Sequence, residues 1–553
     1  MQLHRFKPAV AALCALACAA AHGDVASIGV TGDSGEQPTI WQGADWVFTL
    51  TRSGDTGYAV AVSYETADGT AVGGTGHDYR PASGIAVIEA GAETASIPVH
   101  VLPGDESTEE FFVLNLLAAT GIGPEPSFSA EAVFAAGDNP GAADFADVNG
   151  DGKADLVVAN RGADTVSILL NTTSAGAATP SFAAQQTFAT GDFPTAIASA
   201  DFNGDGRPDL AVGYQNSAKQ VSVLLNATVS GSSTAMFGSP QNFAAGNTPG
   251  AIAVADVNGD GTPDLVAANS GDDTLSVLLN IAASGAATAS FAPQATFATE
   301  DAPSAVIAID VNTDGKPDLA AINQYGGSVS VLINTTATAA LTPSFASTQI
   351  EPAYGTDFAA ADVNQDGRVD LIVGGGGRVL LNATESAATS AAFLPGQPLV
   401  PVYYAALPRT AAADLNGDGR PELFGGYSVS VYRNCTDAGA EVLCNLPAVY
   451  FATQETPSDV AAADLNADGK LDLVAVNATD DSVSVLLNTV ADAAFGALYD
   501  DVNLDVAQAI GTILPFTPPI GGHGGSAVSP WAILGLLVFV GLRRLGELRV
   551  RRR

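Results

Sequence analysis

Seven short stretches of the chain gather carboxylate and amide side chains at a spacing that could bind a metal ion. The first copy, D-x-N-x-D-G-x-x-D, begins at Asp147, and further copies begin at Asp201, Asp256, Asp310, Asp362, Asp414 and Asp464. Each copy places hard oxygen donors at positions 1, 3, 5 and 9, and glycine at position 6 permits the turn that brings them around one point. This chemistry is that of a calcium loop.

Calcium is therefore the predicted cofactor. The predicted ligands occupy positions 1, 3, 5 and 9, together with position 7, where a calcium loop contributes a main-chain carbonyl. Glutamate replaces aspartate at position 9 of the sixth copy. The predicted metal-binding residues are Asp147, Asn149, Asp151, Lys153, Asp155, Asp201, Asn203, Asp205, Arg207, Asp209, Asp256, Asn258, Asp260, Thr262, Asp264, Asp310, Asn312, Asp314, Lys316, Asp318, Asp362, Asn364, Asp366, Arg368, Asp370, Asp414, Asn416, Asp418, Arg420, Glu422, Asp464, Asn466, Asp468, Lys470 and Asp472.

The residues that follow each motif exclude an EF-hand. Position 12 holds valine, alanine or glycine, where an EF-hand requires a bidentate glutamate. Leucine occupies position 10 in all seven copies and opens a short apolar run, such as residues 156–159, which is typical of a buried strand. The copies recur every 50 to 55 residues, so the sequence predicts a repeat architecture.

The seven motifs resemble the FG-GAP/VCBS repeat family. Integrin-like members of that family fold as seven-bladed β-propellers with calcium in the loop between the first two strands of a blade. The resemblance therefore implies a seven-bladed propeller over residues 127–502, with calcium in each motif loop. We expect each blade to contain an alanine-rich inner strand, the leucine-initiated second strand, a third strand that ends in asparagine and an outer strand that carries phenylalanine. The family specifies the fold better than the activity.

The way the ring closes can also be predicted. Residues 127–137 closely match residues 181–191, so one outer strand precedes the first motif and lies out of sequence order. Pairing of residues 127–136 beside residues 483–488 would complete the seventh blade and remove an exposed apolar edge. The alternative closing strand is residues 493–502, which match the repeat less well.

Residues 24–120 differ from the repeats in sequence pattern. Runs of alternating apolar residues are interrupted there by Gly, Asp and Pro. This pattern is typical of an all-β sandwich. Segments 64–71, 77–79 and 104–112 resemble the Calx-β domain, and residues 121–126 form the predicted linker. Members of that family can bind calcium through acids at one end of the sandwich, and the alternative is that these acids are solvated loop residues. The matching residues are Glu36, Asp68, Asp78, Asp105 and Glu109.

Both ends of the chain carry predicted export signals. Residues 1–23 have the early basic residues, apolar run and small residues of a signal peptide, and a lipoprotein is a minor alternative. Residues 503–525 are a predicted Gly/Pro-rich linker. Residues 526–553, with an apolar segment at 527–542 and terminal arginines, resemble the GlyGly-CTERM sorting signal, which implies a short hydrophobic helix in the membrane and a rhomboid-type protease. A plain tail anchor is the alternative, and we expect a bacterial surface or secreted protein.

Composition narrows the class of protein. The chain has 59 acidic and 21 basic residues, a net charge of -38, which argues against nucleic acid as a partner because phosphate binding needs clustered Lys and Arg. Its 47% hydrophobic content is that of a folded protein and not of a disordered polyanion. Cys435 and Cys444 lie in one connection of the sixth blade, and we expect them to form a disulfide.

Six asparagines lie in N-x-S/T sequons, and because several recur at one repeat position we expect them to mark turns. They are Asn171, Asn226, Asn334, Asn382, Asn434 and Asn477. A ligand face, if present, is expected opposite the motif loops. Its candidate residues are Arg161, Tyr214, Gln215, Asn216, Asn269, Gln324, Tyr325, Arg409 and Tyr427.

The sequence contains no evident catalytic constellation. His77, His100 and His523 are scattered over three segments, and most candidate acids belong to the calcium motifs. We therefore expect a monomeric, non-enzymatic calcium-binding scaffold for adhesion to carbohydrate or protein ligands. The alternative is a calcium-dependent polysaccharide lyase or hydrolase built on a propeller.

Overall fold

The computed structural model describes residues 26–32 and 45–513, with gaps at 55, 70, 74–78, 103–109, 217–218, 347–348, 399–409, 427, 445, 455–456, 492–501 and 505–507. All elements in this described part are β-strands. No helix within these residues has the length and hydrophobicity needed to cross a bilayer. The predicted signal peptide, hydrophobic helix and sorting signal lie outside the described residues.

The N-terminal domain is a sandwich of two sheets. Its strands are β1 (Ala26–Gly32), β2 (Asp45–Ser53), β3 (Ala59–Asp68), β4 (Ser83–Ile88), β5 (Thr94–His100) and β6 (Glu110–Ile122). Alternate side chains of both sheets face inward, and Phe48 of one sheet contacts Phe112 of the other edge to face at 5.8 Å. The predicted sandwich is confirmed, and β6 continues two residues into the predicted linker.

Seven four-stranded antiparallel sheets follow. Their strands are β7 (Ala132–Ala135), β8 (Pro140–Ala146), β9 (Asp155–Asn160), β10 (Thr165–Leu169), β11 (Gln186–Ala189), β12 (Pro194–Ala200), β13 (Asp209–Tyr214), β14 (Gln220–Leu224), β15 (Gln241–Ala244), β16 (Pro249–Ala255), β17 (Asp264–Asn269), β18 (Thr274–Leu278), β19 (Ala295–Ala298), β20 (Pro303–Ile309), β21 (Asp318–Asn323), β22 (Ser328–Leu332), β23 (Gln349–Pro352), β24 (Asp357–Ala361), β25 (Asp370–Gly374), β26 (Arg378–Leu380), β27 (Gln397–Pro398), β28 (Thr410–Ala413), β29 (Glu422–Gly425), β30 (Val429–Tyr432), β31 (Val449–Phe451), β32 (Asp459–Ala463), β33 (Asp472–Asn477) and β34 (Ser482–Leu486).

The seven sheets are the blades of a propeller. Blades one to six are the consecutive quartets β8–β11, β12–β15, β16–β19, β20–β23, β24–β27 and β28–β31. Inner strands of neighbouring blades contact one another around the ring, and aspartates cap their free amides. The amide of Ser199 in blade two donates to Asp144 in blade one at 2.7 Å, and the amide of Ala143 in blade one donates to Asp459 in blade seven at 2.9 Å. The predicted all-β, seven-bladed architecture is confirmed.

The seventh blade is completed by the N-terminal strand, as the sequence predicted. Its order is β32-β33-β34-β7, and Phe134 of β7 lies opposite Val483 of β34. Phe128 forms a further bridge to Asn488. Phe134 then packs edge to face on Phe182 of blade one, with ring centroids 4.9 Å apart, so the closing strand also joins the first and last blades.

Two strands beyond the propeller return to the sandwich. Strand β35 (Val502–Leu504) pairs in parallel with β1, and β36 (Gln508–Ile513) pairs antiparallel with β6. The sequence predicts a linker over residues 503–525, whereas part of that segment extends both sandwich sheets. Without β36, strand β6 would leave its free backbone groups at a sheet edge, which is the physical reason for the pairing. The propeller is therefore an insertion within the sandwich.

The second strand of each blade is buried on both faces because neighbouring blades cover it. All six residues of β9 are buried, and Leu156 at motif position 10 packs with Leu465 and Val474 of blade seven. The continuous apolar runs after the motifs are explained by this double burial and not by a one-sided sheet. Outer strands contribute further edge-to-face phenylalanine pairs between blades, such as Phe188 with Phe237 at 5.1 Å.

Candidate calcium loops

Each motif loop joins the first and second strands of its blade and makes two left-handed turns. Glycine at position 6 has φ between 83° and 87° in all seven copies. Position 4 also has positive φ throughout, including 53° at Thr313 and 50° at Ala467. A Cβ added to Gly152 would meet no atom within 4 Å. Backbone conformation, and not lack of space, therefore selects glycine at position 6.

These turns aim main-chain amides at the side-chain oxygens. In the first loop, the amides of Asp151 and Gly152 donate to the two carboxylate oxygens of Asp147, each at 2.9 Å. The amide of Asp151 also donates to Asn149 Oδ1 at 3.1 Å, and the amide of Lys153 donates to Asp151 Oδ1 at 3.1 Å. The side-chain oxygens of positions 1, 3 and 5 are thereby held within one turn.

Loops two, three, four, five and seven repeat this set of hydrogen bonds. The agreement includes loops four, five and seven, in which threonine, glutamine or alanine replaces glycine at position 4. The six loops are thus equivalent in conformation as well as in sequence.

The position-9 carboxylate lies beneath the loop, fully buried. Asp155 Oδ2 accepts the amide of Val148 at 2.9 Å, and Oδ1 accepts the amide of Asn171 at 2.7 Å. Burial, and to a smaller extent the nearby charges of Asp151 and Asp147, raise the pKa of Asp155 to about 6, although the two hydrogen bonds act to lower it. Burial likewise raises the pKa of position 9 to about 7 at Asp209 and to about 6 at Asp264, Asp318, Asp370 and Asp472.

The donor chemistry of the six loops fits calcium. The available side-chain donors are carboxylate and amide oxygens, which hard divalent cations prefer, and the amides already orient those at positions 1, 3 and 5. Within the described residues, however, no three Asp, Glu, His or Cys side chains form a preassembled metal cluster. The structure thus brings positions 1, 3 and 5 into one turn and directs position 9 to two amides. A bound cation would lower the raised pKa of position 9.

Basic side chains at position 7 make polar contacts with their own loop or with the chain just beyond the third strand. Arg207 Nη2 pairs with Asp205 at 2.5 Å, and Arg368 Nη2 pairs with Asp366 at 2.7 Å. Lys316 Nζ instead donates to the carbonyl of Thr336 at 2.8 Å, just beyond the third strand. These contacts reduce the negative charge of the loops without closing them, since the Arg207 and Arg368 side chains remain 45% and 38% exposed.

An asparagine after the third strand joins each loop to the preceding blade. Asn226 Nδ2 in blade two donates to the carbonyl of Pro208 at 3.0 Å and to the carbonyl of Val148, in the loop of blade one, at 2.9 Å. The same bond to position 2 of the preceding loop occurs in every blade, and Asn171 makes it to Leu465 across the closure. The donors are Asn171, Asn226, Asn280, Asn334, Asn382, Asn434 and Asn488.

This role explains the sequons. The side-chain oxygen of Asn171 accepts the amide of Thr173 at 2.9 Å, so the residue forms the predicted turn. Asn477 differs, because it ends a second strand and donates to Ser482 and Ser484. All six sequon asparagines are buried.

The tip between strands three and four of the following blade, defined by residues 229–232 in blade two, covers six of the seven loops. The amide of Gly231 donates to the carbonyl of Asn149 at 2.6 Å, and Asn149 Nδ2 donates back to the carbonyl of Ser232 at 3.0 Å. Equivalent pairs join five further loops to their neighbours' tips. The position-3 asparagine therefore serves the loop and the blade junction together.

The sixth loop departs from this pattern. The amide of Gly417, and not that of Asp418, donates to Asp414 Oδ1, at 2.6 Å. Asn416 is fully buried, and its amide faces Glu422 Oε1 at 3.1 Å. Burial, together with the charge of Asp418, raises the pKa of Glu422 well above its usual range. Six of the seven predicted loops therefore share one conformation, and the sixth loop differs from them at these bonds.

The predicted sandwich site is largely outside the described residues, which contain only Asp68 of its five acids. Asp68 Oδ1 accepts the hydroxyl of Tyr79 at 2.7 Å and the amide of Gly73 at 2.8 Å. These contacts make Asp68 a structural group at the end of β3.

The predicted ligand face divides into buried and exposed residues. Tyr214 and Asn269 are fully buried, and Arg161 lies over the Phe193 ring at 5.9 Å. Arg409 and Tyr427 lie outside the described residues. Tyr325 is 81% exposed, and sequence reasoning missed Tyr354, which is 73% exposed in the connection to blade five. A Cβ on Gly327 would collide with the Tyr354 ring, so the turn that carries Tyr325 contacts Tyr354.

The predicted disulfide between Cys435 and Cys444 is confirmed. It lies at the junction of the two domains, because Cys435 packs with Ala59, Ala61 and Ile122 of the sandwich. The spacing of the cysteines indicated the bond, whereas their contact with the sandwich had no signal in the sequence.

Comparison with known families finds a match within each domain. The FG-GAP-like repeat family matches residues 147–212, 256–321, 310–373 and 414–475, and the Calx-beta domain matches residues 42–128. The predicted resemblances to these two families are thereby confirmed. No curated protein matches the chain.

Two solved structures are similar to parts of the chain. The crystal structure of BBS1N in complex with ARL6DN, soaked with lead, has 11% sequence identity and a TM-score of 0.41, and the match covers 67% of this chain and 99% of that one. The crystal structure of the apo-form Calx CBD1 domain has 24% identity and a TM-score of 0.14, and the match covers 17% of this chain and 82% of that one.

Proposed function

We propose that this chain, which carries FG-GAP-like repeats and a Calx-beta domain, is an exported scaffold that calcium stiffens and that binds a carbohydrate or protein ligand without catalysis. In this proposal residues 1–23 direct export, and residues 527–542 contact the membrane before a rhomboid-type protease removes the tail. The mature protein acts at the bacterial surface or in the medium.

One observation carries the proposal: the oxygen-rich loops lie where neighbouring blades meet. The position-3 asparagine of a loop bonds to the next blade, as Asn149 does to Ser232, and the position-2 carbonyl accepts a bond from that blade. A cation held by positions 1, 3 and 5 would stiffen the same turn that joins the blades. This location favours a structural role for calcium over a catalytic one.

Ligand binding is then left to the opposite face, where the connections between strands two and three and between blades lie. Tyr325 and Tyr354 belong to two adjacent connections there, and both rings are mostly exposed. Exposed tyrosine rings stack on sugar rings and offer a hydroxyl for hydrogen bonds. We therefore propose that these two tyrosines form part of a carbohydrate-binding surface.

The test compares glycan binding by wild-type protein with binding by Tyr325→Ala/Tyr354→Ala on an array of bacterial and plant polysaccharides. We expect the double variant to lose at least tenfold in affinity for any glycan that the wild type binds, since each stacking contact contributes roughly 1 kcal/mol. Tyr450→Ala is the matched control, because Tyr450 is 69% exposed but lies on an outer strand of blade six.

Depolymerisation of the same polysaccharides is measured beside binding. Equal affinity of the double variant and the wild type would show that the two tyrosines are not part of the binding surface. Calcium-dependent release of oligosaccharides would replace the scaffold proposal with the enzymatic alternative.

A further inference from the structure

The closure of the ring leaves one motif loop without its usual neighbour. Loops one to five and loop seven are each covered by the tip between strands three and four of the following blade. Blade seven has no continuous tip, because its third strand, β34, and its outer strand, β7, come from opposite ends of the propeller. The sixth loop is therefore the one that cannot receive this cover.

The chain that enters from the sandwich takes the place of the missing tip. The amide of Gly123 donates to Asp418 Oδ2 at 2.8 Å, and Arg420 Nη1 donates to the carbonyl of Gly121 at 2.9 Å. A Cβ on Gly123 would lie 2.7 Å from the side-chain amide of Asn416, so only glycine allows this approach. Residues 121–123 thus lie directly on the motif.

The position-7 arginine of this loop is buried, unlike the arginines at position 7 of loops two and five. The side chain of Arg420 is 3% exposed and that of Asp418 is 0% exposed, with Arg420 Nη1 3.9 Å from Asp418 Oδ2. At the equivalent pair in loop two, Arg207 is 45% exposed and Asp205 is 16% exposed. A buried carboxylate is stabilised by a nearby positive group, and in loop six a guanidinium already supplies that charge.

Further contacts extend the junction on either side. Thr120 Oγ1 donates to Asp437 in the tip of blade six, and Arg433 Nη2 pairs with Glu89 of the sandwich at 3.5 Å. Between these two polar contacts, Cys435 of the disulfide and Leu446 pack on Ala59 and Ile122 of the sandwich. Polar bonds on the sixth loop and an apolar patch beside it therefore form one continuous domain contact.

We propose that the sixth motif binds no cation and is instead the docking site on the propeller for the sandwich, with Arg420 occupying the electrostatic role that calcium has in the other six loops. This inference rests on the proposed calcium binding of those six. Asp418 Oδ2 accepts the linker amide and lies 3.9 Å from Arg420 Nη1, and Asn416 Nδ2 donates to Glu422 Oε1. The loop therefore joins the propeller to the sandwich, and among the described residues its only bond of the common pattern to the next blade is the one from Asn488 to the carbonyl of Leu415.

The first test counts bound calcium by native mass spectrometry of the intact chain at one fixed free calcium concentration. The wild type is compared with Asp201→Asn/Asp205→Asn in loop two and with the matched pair Asp414→Asn/Asp418→Asn in loop six. We expect the loop-two variant to bind one calcium ion fewer than the wild type and the loop-six variant to bind the same number.

Loss of one ion from the loop-six variant as well would overturn the docking inference while leaving the calcium proposal intact. No loss from the loop-two variant would instead refute calcium binding by the motif loops, and with it the basis of the inference.

The second test needs no substitution in the sixth loop and remains decisive if that variant does not fold. Hydrogen exchange of the wild type is measured with calcium and with excess chelator. Calcium should slow amide exchange at residues 201–209 and their equivalents in the other five loops at least tenfold. It should leave residues 414–422 protected to the same degree in both conditions. Calcium-dependent protection of 414–422 equal to that of the other loops would contradict the inference.

Discussion

The asparagine after each third strand bonds to the motif loops of two neighbouring blades, and this contact is repeated around the ring. In blade three, Asn280 donates to the carbonyl of Phe202 in the preceding loop at 2.9 Å and to the carbonyl of Pro263 in its own loop at 3.1 Å. Its side-chain oxygen accepts the amide of Ala282 at 2.9 Å. Two donor hydrogens and an acceptor on one short planar group meet all three requirements, which neither aspartate nor leucine could do.

Replacement of Asn280 by alanine should therefore destabilise the propeller. The carbonyls of Phe202 and Pro263 would lose a donor each, which costs roughly 2 to 3 kcal/mol in the free energy of unfolding. Urea denaturation measures this change, and Gln215→Ala, at an exposed turn, is the control with an expected change below about 0.5 kcal/mol. A loss at Asn280 no larger than at Gln215 would show that the bond between blades is dispensable.

The motif loop and the neighbouring tip act as one element. Carboxylates at positions 1 and 5 of a loop repel each other in the absence of a cation, while the amides of positions 5 to 7 hold them close, as in the bonds to Asp147 and Asp151. The tip, through Gly231 and Ser232, fixes the loop from the neighbouring blade. Calcium would remove the repulsion within an arrangement that the backbone has already formed.

Calcium should accordingly raise the melting temperature of the protein. A ligand that binds only the folded state stabilises it by an amount that grows with the logarithm of its free concentration above Kd. With individual Kd values on the order of 10⁻⁴ to 10⁻³ M, millimolar calcium should raise the melting temperature relative to excess chelator. Differential scanning fluorimetry measures the shift, with magnesium as the control ion, and identical melting curves would contradict calcium binding by the loops.

The disulfide stabilises a different element, the tip of blade six at the domain contact. The loop closed by Cys435 and Cys444 is short, so its chain-entropy contribution is roughly 2 to 3 kcal/mol at most. Substitution of both cysteines by alanine should lower the stability of the protein by about that amount and increase proteolysis of residues 120–126, beside which Cys435 packs. Reduced stability with unchanged cleavage there would show that the disulfide does not support the domain contact.

At the scale of the whole molecule, the propeller is inserted into the sandwich and is joined to it by two chain crossings. The first crossing leads from β6 to β7, and the second leads from β34 to β35. Each crossing is followed by a strand that completes a sheet: β7 closes blade seven, and β35 and β36 extend the two sandwich sheets. Both domains therefore depend on residues that are distant in the sequence, which limits their independent movement.

Two deletions should show which distant segment each domain needs for its stability. Removal of residues 127–136 takes away the closing strand and should abolish cooperative unfolding of the propeller, because blade seven would lose its fourth strand. Truncation after residue 491 removes β35 and β36 and should destabilise the sandwich while the propeller still unfolds cooperatively. Scanning calorimetry with limited proteolysis distinguishes the two domains, and the opposite pattern would show that the C-terminal segment closes the ring.

The sequence by itself determined the features that repeat or depend on neighbouring residues. The copies from Asp147 to Asp464 predicted seven units and the oxygen-rich loops, since ligand spacing and a left-handed glycine are local properties. The match of residues 127–137 to 181–191 predicted the closing strand, because a displaced strand keeps its repeat pattern. The disulfide was predictable as well, because both cysteines lie close together in one connection of the chain.

Only the tertiary structure decided what depends on contacts between distant segments. It directed both oxygens of Asp155 to backbone amides, buried Tyr214, placed Tyr354 beside the turn of Tyr325, and returned residues 502–513 to the sandwich. The sixth motif illustrates the limit best. Its residues match the other copies except for glutamate at position 9, but ring closure deprives it of a neighbouring tip, and the approach of Gly123 makes it a domain junction. Position in a closed ring, which no local pattern records, decides this difference.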